Sequence, residues 1–144
     1  MEAFDPAEIA QYALNNAAGI SLLTITYLRS RGLSVADWAR WVGSEFAGPE
    51  TNWVPGMAAQ DMAREAAKEL LSMKANVLEI SGDDDASMVL FVWPSDESLH
   101  RRGLRREDVQ DIWLTWEPLA ASVGLRARTA TSSDGVTTLA FSRP

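Results

Sequence analysis

The feature that most constrains the fold is an apolar run in the second half of the chain. From Met88 to Trp93 the sequence Met-Val-Leu-Phe-Val-Trp contains no polar residue. β-Branched and aromatic residues are typical of strands, in which successive side chains point to opposite faces of a sheet. Both faces of this strand are therefore apolar. We expect both to be covered, one by helices and the other by a further surface.

Two hairpins are predicted around this run. The β-rich residues Val77 to Ile80 precede it, with a Gly/Asp turn at Ser81 to Asp85, and Pro94 follows it. A second hairpin is predicted from Leu125 to Thr129 and from Val136 to Phe141, joined by a turn at 132–135. Two hairpins most simply form one four-stranded antiparallel sheet.

The first half of the chain predicts helices. Asp5 and Pro6 suit a helix start, and Gly32 suits its end. Apolar and small residues then recur every three or four positions, which indicates one buried face. That face comprises Ile9, Ala13, Ala17, Ile20, Leu23 and Tyr27.

Two further helices follow. Ser34 is a typical N-cap for the second, which ends near Gly48 and Pro49, and a loop from Glu50 to Gly56 leads to a third helix that ends near Lys74. The apolar side of the second helix is Val35, Trp38, either Trp41 or Val42, and Phe46, and that of the third is Met57, Met62, Ala66, Leu70 and Met73.

The segment between the hairpins predicts a short helical turn reaching His100 and then a longer helix. Pro118 is expected to kink or split this helix, because proline removes a backbone hydrogen bond. The predicted buried stripe is Val109, Ile112, Trp113, Trp116, Leu119 and Val123. The fold class is therefore α+β, with one domain over residues 1–144, helical in 1–75 and hairpin-helix-hairpin in 76–144.

Composition excludes several kinds of site. The chain has no cysteine, so thiol nucleophiles, disulfides and thiolate metal sites are absent. The only histidine, His100, accompanies no nucleophile motif, and no phosphate-binding or dinucleotide fingerprint occurs. We therefore identify no catalytic residue, metal ligand or cofactor. Enzymatic activity stays open, and a protein that is not an enzyme is favoured.

Charge and hydropathy narrow the choice of partners. The net charge of −7 disfavours nucleic acid and anionic membranes. No stretch approaches the roughly 20 apolar residues of a membrane span, and the acidic N-terminus does not resemble a secretory signal. We expect a cytoplasmic protein.

Six tryptophans suggest a ligand pocket. Helices that roof the sheet would bring several aromatic side chains together, and apolar pockets with a few polar groups are the usual form of a small-molecule site. The alternative is that these rings only fill the core, each with its N–H bonded. The candidate ligand-binding residues are Tyr27, Trp38, Trp41, Phe46, Trp53, Met57, Glu79, Trp93, Trp113 and Trp116.

Glu79 interrupts an apolar strand and has two interpretations. Strict alternation puts it on one face with Val77 and Ser81, opposite Leu78 and Ile80. On a roofed face Glu79 would be a buried carboxyl group and a ligand anchor, whereas on an open face it would be an ordinary solvated residue.

The segment from Tyr27 to Gly43 resembles the opening of a helix-turn-helix, with Gly-Leu-Ser as the turn. A recognition helix with basic side chains should follow. The residues that do follow, Ser44 to Glu50, are acidic and interrupted by Gly-Pro. A DNA-binding regulator therefore stays an alternative only.

In element order, and in the segment Gly32 to Arg40 (Gly-Leu-Ser-Val-Ala-Asp-Trp-Ala-Arg), the chain resembles small bacterial ligand-binding domains of the 4-vinyl reductase type and the thiazoline-carboxylate hydrolase-like group. The resemblance implies N-terminal helices that enclose a small molecule against an antiparallel sheet. No catalytic or metal motif of either group is matched, so it implies a pocket and no reaction.

Together these observations predict a non-enzymatic small-molecule-binding or sensory module for a small apolar or aromatic ligand. A structural or protein-interaction domain without a ligand is the alternative. Because the run from Met88 to Trp93 needs cover on both faces, we also expect a homodimer that buries sheet or helix surface between protomers.

Overall fold

Eleven elements follow one another in a computed structural model that describes residues 5–48 and 53–144. Their order confirms the predicted succession of three helices, a hairpin, helical segments and a second hairpin. The elements are α1 (Pro6–Ser30), α2 (Val35–Phe46), α3 (Ala59–Ser72), β1 (Asn76–Gly82), β2 (Ala86–Val92), α4 (Asp96–Arg101), α5 (Arg106–Val109), a 3-10 segment (Gln110–Thr115), α6 (Trp116–Ser122), β3 (Arg126–Thr131) and β4 (Thr137–Ser142).

The two hairpins form one four-stranded antiparallel sheet in the order β1-β2-β4-β3. The second strand of each hairpin, β2 and β4, meets the other in the middle, where Val89 pairs with Leu139 and Phe91 with Thr137. All four of these side chains are buried. The α+β class and the four-stranded sheet predicted from the sequence are confirmed.

Helices cover one face of the sheet in two layers. In the first layer α3 packs on β1, β2 and β4, while α6 and the 3-10 segment pack near β3. In the second layer α2 lies on the 3-10 segment and α6. On α3 the buried residues Ala59, Ala63 and Ala66 are small, so its backbone approaches the sheet closely.

The first helix starts as predicted but buries a different face. Asp5 Oδ1 accepts a hydrogen bond from the Ala7 backbone N–H at 3.0 Å, and the helix continues through Gly19. The predicted buried face is wrong, since Ile9, Ile20, Leu23 and Tyr27 are 55%, 64%, 54% and 57% exposed. The core instead receives Leu22, Ile25 and Leu28. The reason is that α3 and α6 already cover the sheet, so only the last third of α1 reaches the core.

The second helix resolves an alternative that the sequence left open. Ser34 Oγ accepts a hydrogen bond from the Asp37 N–H at 3.1 Å, which confirms the predicted cap. Val42 is half-buried, whereas Trp41 is 60% exposed, so Val42 belongs to the apolar side. Pro49 and residues 50–52 of the predicted loop lie outside the described residues.

The segment between the hairpins is split as Pro118 predicted. Pro118 is the third residue of α6, inside the first turn, where backbone N–H groups need no partner within the helix. The 3-10 segment joins α5 to α6 without losing the periodic burial. The predicted stripe of Val109, Ile112, Trp113, Trp116, Leu119 and Val123 is confirmed, since every member is buried.

The opposite face of the sheet is open within the described residues. On β2 the inward Val89 and Phe91 are fully buried, while the outward Met88 is 36% exposed and Leu90 and Val92 are half-buried. Cover on both faces is thus not provided by the part of the chain that the structure describes. Among these residues no helix combines the length and the apolar character needed to cross a lipid bilayer.

Candidate functional site

The candidate site is a cavity of about 250 Å³ between the two helical layers. Each helix from α1 to α3 lines one side, and the 3-10 segment with α6 closes the bottom. The lining is mostly apolar, with a few polar groups. It comprises Ser21, Trp38, Val42, Phe46, Trp53, Glu69, Leu70, Met73, Ile112, Trp113, Thr115, Trp116 and Leu119.

Aromatic rings at right angles to each other form the cavity walls. The Trp53 and Trp116 rings meet edge to face, with centroids 5.6 Å apart and an interplanar angle of 89°. Behind Trp116 lies Phe141 of β4 at 5.8 Å, and Trp113 meets Phe91 of β2 at 4.8 Å. Such T-shaped contacts are favourable for aromatic pairs. The sheet therefore holds the rings of Trp113 and Trp116 in position, and these two rings form the floor of the cavity.

Hydrogen bonding separates the tryptophans into two kinds. The Trp93 indole N–H donates to the Met73 carbonyl oxygen at 2.8 Å, as expected of a ring that only fills the core. The four tryptophans of the cavity make no such bond: within residues 5–48 and 53–144 their indole N–H groups have no protein acceptor. These donors are left for a ligand or water.

Among the lining residues that the structure describes, Glu69 is the only ionisable one. Part of the residue is exposed, but burial of its carboxyl group raises the pKa of Glu69 above the ordinary value of 4.5. Desolvation disfavours the charged form of a carboxyl group, which explains the direction. Sequence reasoning missed Glu69, although its position next to Leu70 on the apolar side of α3 was the available signal.

Two hydroxyl groups complete the polar lining. Ser21 Oγ donates to the Ala17 carbonyl oxygen at 3.0 Å, and Thr115 Oγ1 donates to the Ile112 carbonyl oxygen at 2.8 Å. Each hydroxyl proton is therefore occupied, so these oxygens face a ligand as acceptors. Neither residue was identified from the sequence, because isolated Ser and Thr residues in helices carry no recognisable pattern.

Half of the candidate residues line the cavity, and the other half lie elsewhere. Trp38, Phe46, Trp53, Trp113 and Trp116 are brought together. Of the others, Trp93 is buried in the core, Met57 packs half-buried at its edge, and Trp41 is exposed on α2. Tyr27 is exposed on α1, with the Arg31 guanidinium 5.6 Å from the centre of its ring.

Glu79 lies on the open face of the sheet because β1 contains a bulge. Val77 pairs with Phe91, but Glu79 pairs with the adjacent residue Leu90, so Leu78 is the extra residue. Phe91 points to the helices and Leu90 away from them, and paired residues share a face. The prediction that Val77 and Glu79 share a face is therefore wrong. Of its two interpretations, Glu79 is the solvated residue.

Three other polar side chains lie outside the cavity. Asp83 accepts hydrogen bonds from the backbone N–H groups of Ala86 and Asp85, which lower its pKa and close the β1–β2 turn. Glu117 accepts a hydrogen bond from Arg40 at 2.7 Å. His100 is exposed at the end of α4. Across residues 5–48 and 53–144, no cluster of three or more His, Asp or Glu residues is placed to hold a metal ion.

The helix-turn-helix resemblance covers the end of α1, the turn at Gly32 and α2. The next helix, α3, begins only at Ala59 and turns its apolar residues to the sheet. A recognition helix would have to present its side chains to the major groove of DNA. The described part of the chain places no helix in that role directly after α2.

Comparison of the chain with models of known families, with curated proteins and with solved structures finds no match.

Proposed function

We propose that this protein is a non-enzymatic small-molecule-binding or sensory module whose ligand occupies the cavity between the helical layers. The observation that carries the proposal is the gathering of four tryptophans around about 250 Å³ of space. A ring that only fills a core satisfies its N–H, as Trp93 does with the Met73 carbonyl oxygen. The arrangement also agrees with the resemblance to domains that enclose a small molecule between helices and an antiparallel sheet.

The cavity defines the class of ligand that we propose. Small-molecule pockets commonly span roughly 300–1,000 Å³, so this one suits a small ligand. Its aromatic walls favour an apolar or aromatic body. The indole N–H groups favour an acceptor on the ligand, and Glu69 at the edge favours a donor or a positive charge.

Two tryptophans on the same helix provide a matched test. Trp38 lines the cavity, whereas Trp41 points to solvent. A thermal-shift screen against a metabolite library is expected to yield ligands that raise the melting temperature and quench tryptophan emission. Trp38→Ala is expected to weaken binding of such a ligand at least tenfold, while Trp41→Ala leaves the affinity unchanged.

Other outcomes of this screen favour the alternatives. A structural or interaction domain predicts no ligand effect and equal behaviour of the two variants. A DNA-binding regulator predicts retention on duplex DNA that weakens steeply with salt.

Val42→Trp, which adds an indole to the cavity lining, is expected to abolish ligand binding without unfolding the protein. Binding that survives this change would contradict the assignment of the cavity.

We further propose that the protein is a cytoplasmic homodimer. Apolar side chains are exposed on two surfaces of a single chain, the open face of the sheet and α1. Exposed apolar patches of this kind mark interaction surfaces. Light scattering coupled to size exclusion tests the proposal, and a monomer at tens of micromolar would contradict it.

A further inference from the structure

The first helix carries an apolar stripe that the other described residues of the chain do not cover. The 25-residue helix is about 37 Å long, and only Leu22, Ile25 and Leu28 are buried. The opposite side holds six exposed residues, the outer stripe. It consists of Ile9, Ala13, Asn16, Ile20, Leu23 and Tyr27.

The spacing of the outer stripe is that of a helix-pairing surface. Successive members lie four, three, four, three and four residues apart, which is the alternation of a coiled-coil repeat. Such a surface packs against another helix with the same repeat. We propose, building on the homodimer above, that α1 of one protomer pairs antiparallel with α1 of a second copy along the outer stripe.

Charge favours the antiparallel orientation. The first residues of the helix are acidic, with Asp5 and Glu8, while Arg31 follows its last turn. Arg29 is already paired with Asp108 at 2.8 Å, whereas Arg31 makes no ion pair among the described residues. Antiparallel pairing places the acidic end of each helix beside the basic end of the other, and the two helix dipoles also oppose each other.

One register satisfies both charge and size. A two-fold axis beside residue 18 puts Asp5 opposite Arg31 of the partner subunit. It also puts Ala13 opposite Leu23 of the partner subunit and Asn16 opposite Ile20 of the partner subunit. The small Ala13 thus faces a large leucine, and Ile9 faces Tyr27 of the partner subunit, so apolar side chains meet along most of the stripe.

The area is consistent with a moderate dimer. Ile9, Ile20, Leu23 and Tyr27 of the outer stripe and the adjacent Tyr12 are each more than half exposed. Together they offer on the order of 500 Å² per copy. A standard interface buries about 800 Å² per partner, and the helix flanks supply the remainder. We expect association at micromolar concentrations.

Leu23→Glu tests the stripe, with Leu71→Glu as the control. Both leucines are more than half exposed, but Leu71 lies on α3, away from the stripe. Light scattering and sedimentation are expected to show at least a tenfold weaker dimer for Leu23→Glu and no change for Leu71→Glu. Circular dichroism verifies that both variants fold. A dimer that Leu23→Glu leaves intact would overturn the inference while the homodimer itself stands, through the sheet face.

Introduced cysteines test the orientation, because the chain has none of its own. Antiparallel pairing predicts that Asn16→Cys mixed with Ile20→Cys gives a disulfide between the two variants in preference to either alone. Parallel pairing predicts the reverse and would overturn the register. A monomer that instead binds phosphatidylglycerol vesicles through Leu23 would assign the stripe to lipid and overturn the inference. Neither result bears on the ligand screen.

Discussion

Two regions of the helical cover pack in opposite ways on the same face of the sheet. Over β1 and β2, α3 presents alanines, and Ala59, Ala63 and Ala66 are completely buried. Beside it, the 3-10 segment and α6 pack near β3 and present Trp113 against Phe91 and Trp116 against Phe141. The alanine region is closed, whereas the tryptophan region encloses a cavity of about 250 Å³.

Large residues alone therefore do not close a core. Alanines let the backbone of α3 sit close to the sheet, so few gaps remain. In the tryptophan region, the rings of Trp53 and Trp116 meet edge to face and border the cavity. The contact of α2 with the 3-10 segment, which we call the frame, holds the helices around this cavity.

The substitution with the largest expected loss of stability tests the contact between α2 and the 3-10 segment. Gly43 of α2 lies so close to the 3-10 segment that a Cβ atom there would stand 2.1 Å from the Thr115 carbonyl oxygen. Gly43→Ala must therefore move backbone, and we expect it to reduce the free energy of unfolding by about 3 kcal/mol. Urea unfolding measures the change.

Gly19→Ala is the matched control, since it also replaces a glycine inside a helix. A Cβ at Gly19 meets nothing closer than 4.0 Å. Because alanine is the better helix former, this variant is expected to gain about 0.5–1 kcal/mol. Equal effects of the two variants would mean that the α2 contact does not frame the cavity.

A smaller effect compares the two regions directly. Ala66→Leu adds three carbon atoms between α3 and the sheet, and we expect a loss of about 2 kcal/mol from overpacking. Val42→Leu adds one carbon atom beside the cavity, and we expect a change below about 0.5 kcal/mol. Unfolding curves with unchanged slopes verify that only stability differs. A loss for Val42→Leu as large as for Ala66→Leu would show that the cavity does not accept volume.

The sheet, the start of α2 and the buried stripe between the hairpins were predictable because their signals are local. Hairpin turns, the Ser34 cap and the stripe from Val109 to Val123 each follow from residues near one another in sequence. The face of α1 was not predictable, because the helix has two apolar faces. Which of them reaches the core depends on how much of the sheet α3 and α6 already cover.

The candidate site was half predictable for a related reason. Aromatic residues are recognisable as pocket candidates from their type alone, so five lining residues were among the candidates. The face of the sheet on which a residue lies cannot be read from its type. The bulge at Leu78 places Glu79 on the open face. Glu69 looked like one more solvated glutamate of α3. It lines a cavity to which α1 and α2, distant in sequence, also contribute side chains.

The smallest expected effect on stability is electrostatic, and it comes from the carboxyl group of Glu69 beside the cavity. Burial raises the pKa of Glu69 in the folded protein above its ordinary value of 4.5. The folded state therefore holds the proton more tightly than the unfolded state, so this group favours folding most below pH 4.5. That contribution is lost as the pH rises through the folded pKa. At pH 7 the charged carboxylate carries an uncompensated desolvation cost, reduced by its partial contact with solvent.

Glu69→Gln removes that cost, so its melting temperature is expected to exceed that of the unaltered protein by a few degrees or less at pH 7. The difference should shrink as the pH falls towards 4.5. Glu45→Gln, which removes an exposed carboxylate from α2, controls for the loss of one negative charge in a chain of net charge −7. Equal gains in both variants would attribute the effect to net charge. A gain confined to Glu69→Gln would mean that the tryptophan region keeps a carboxylate there at the expense of stability, as a binding group does and a packing group does not.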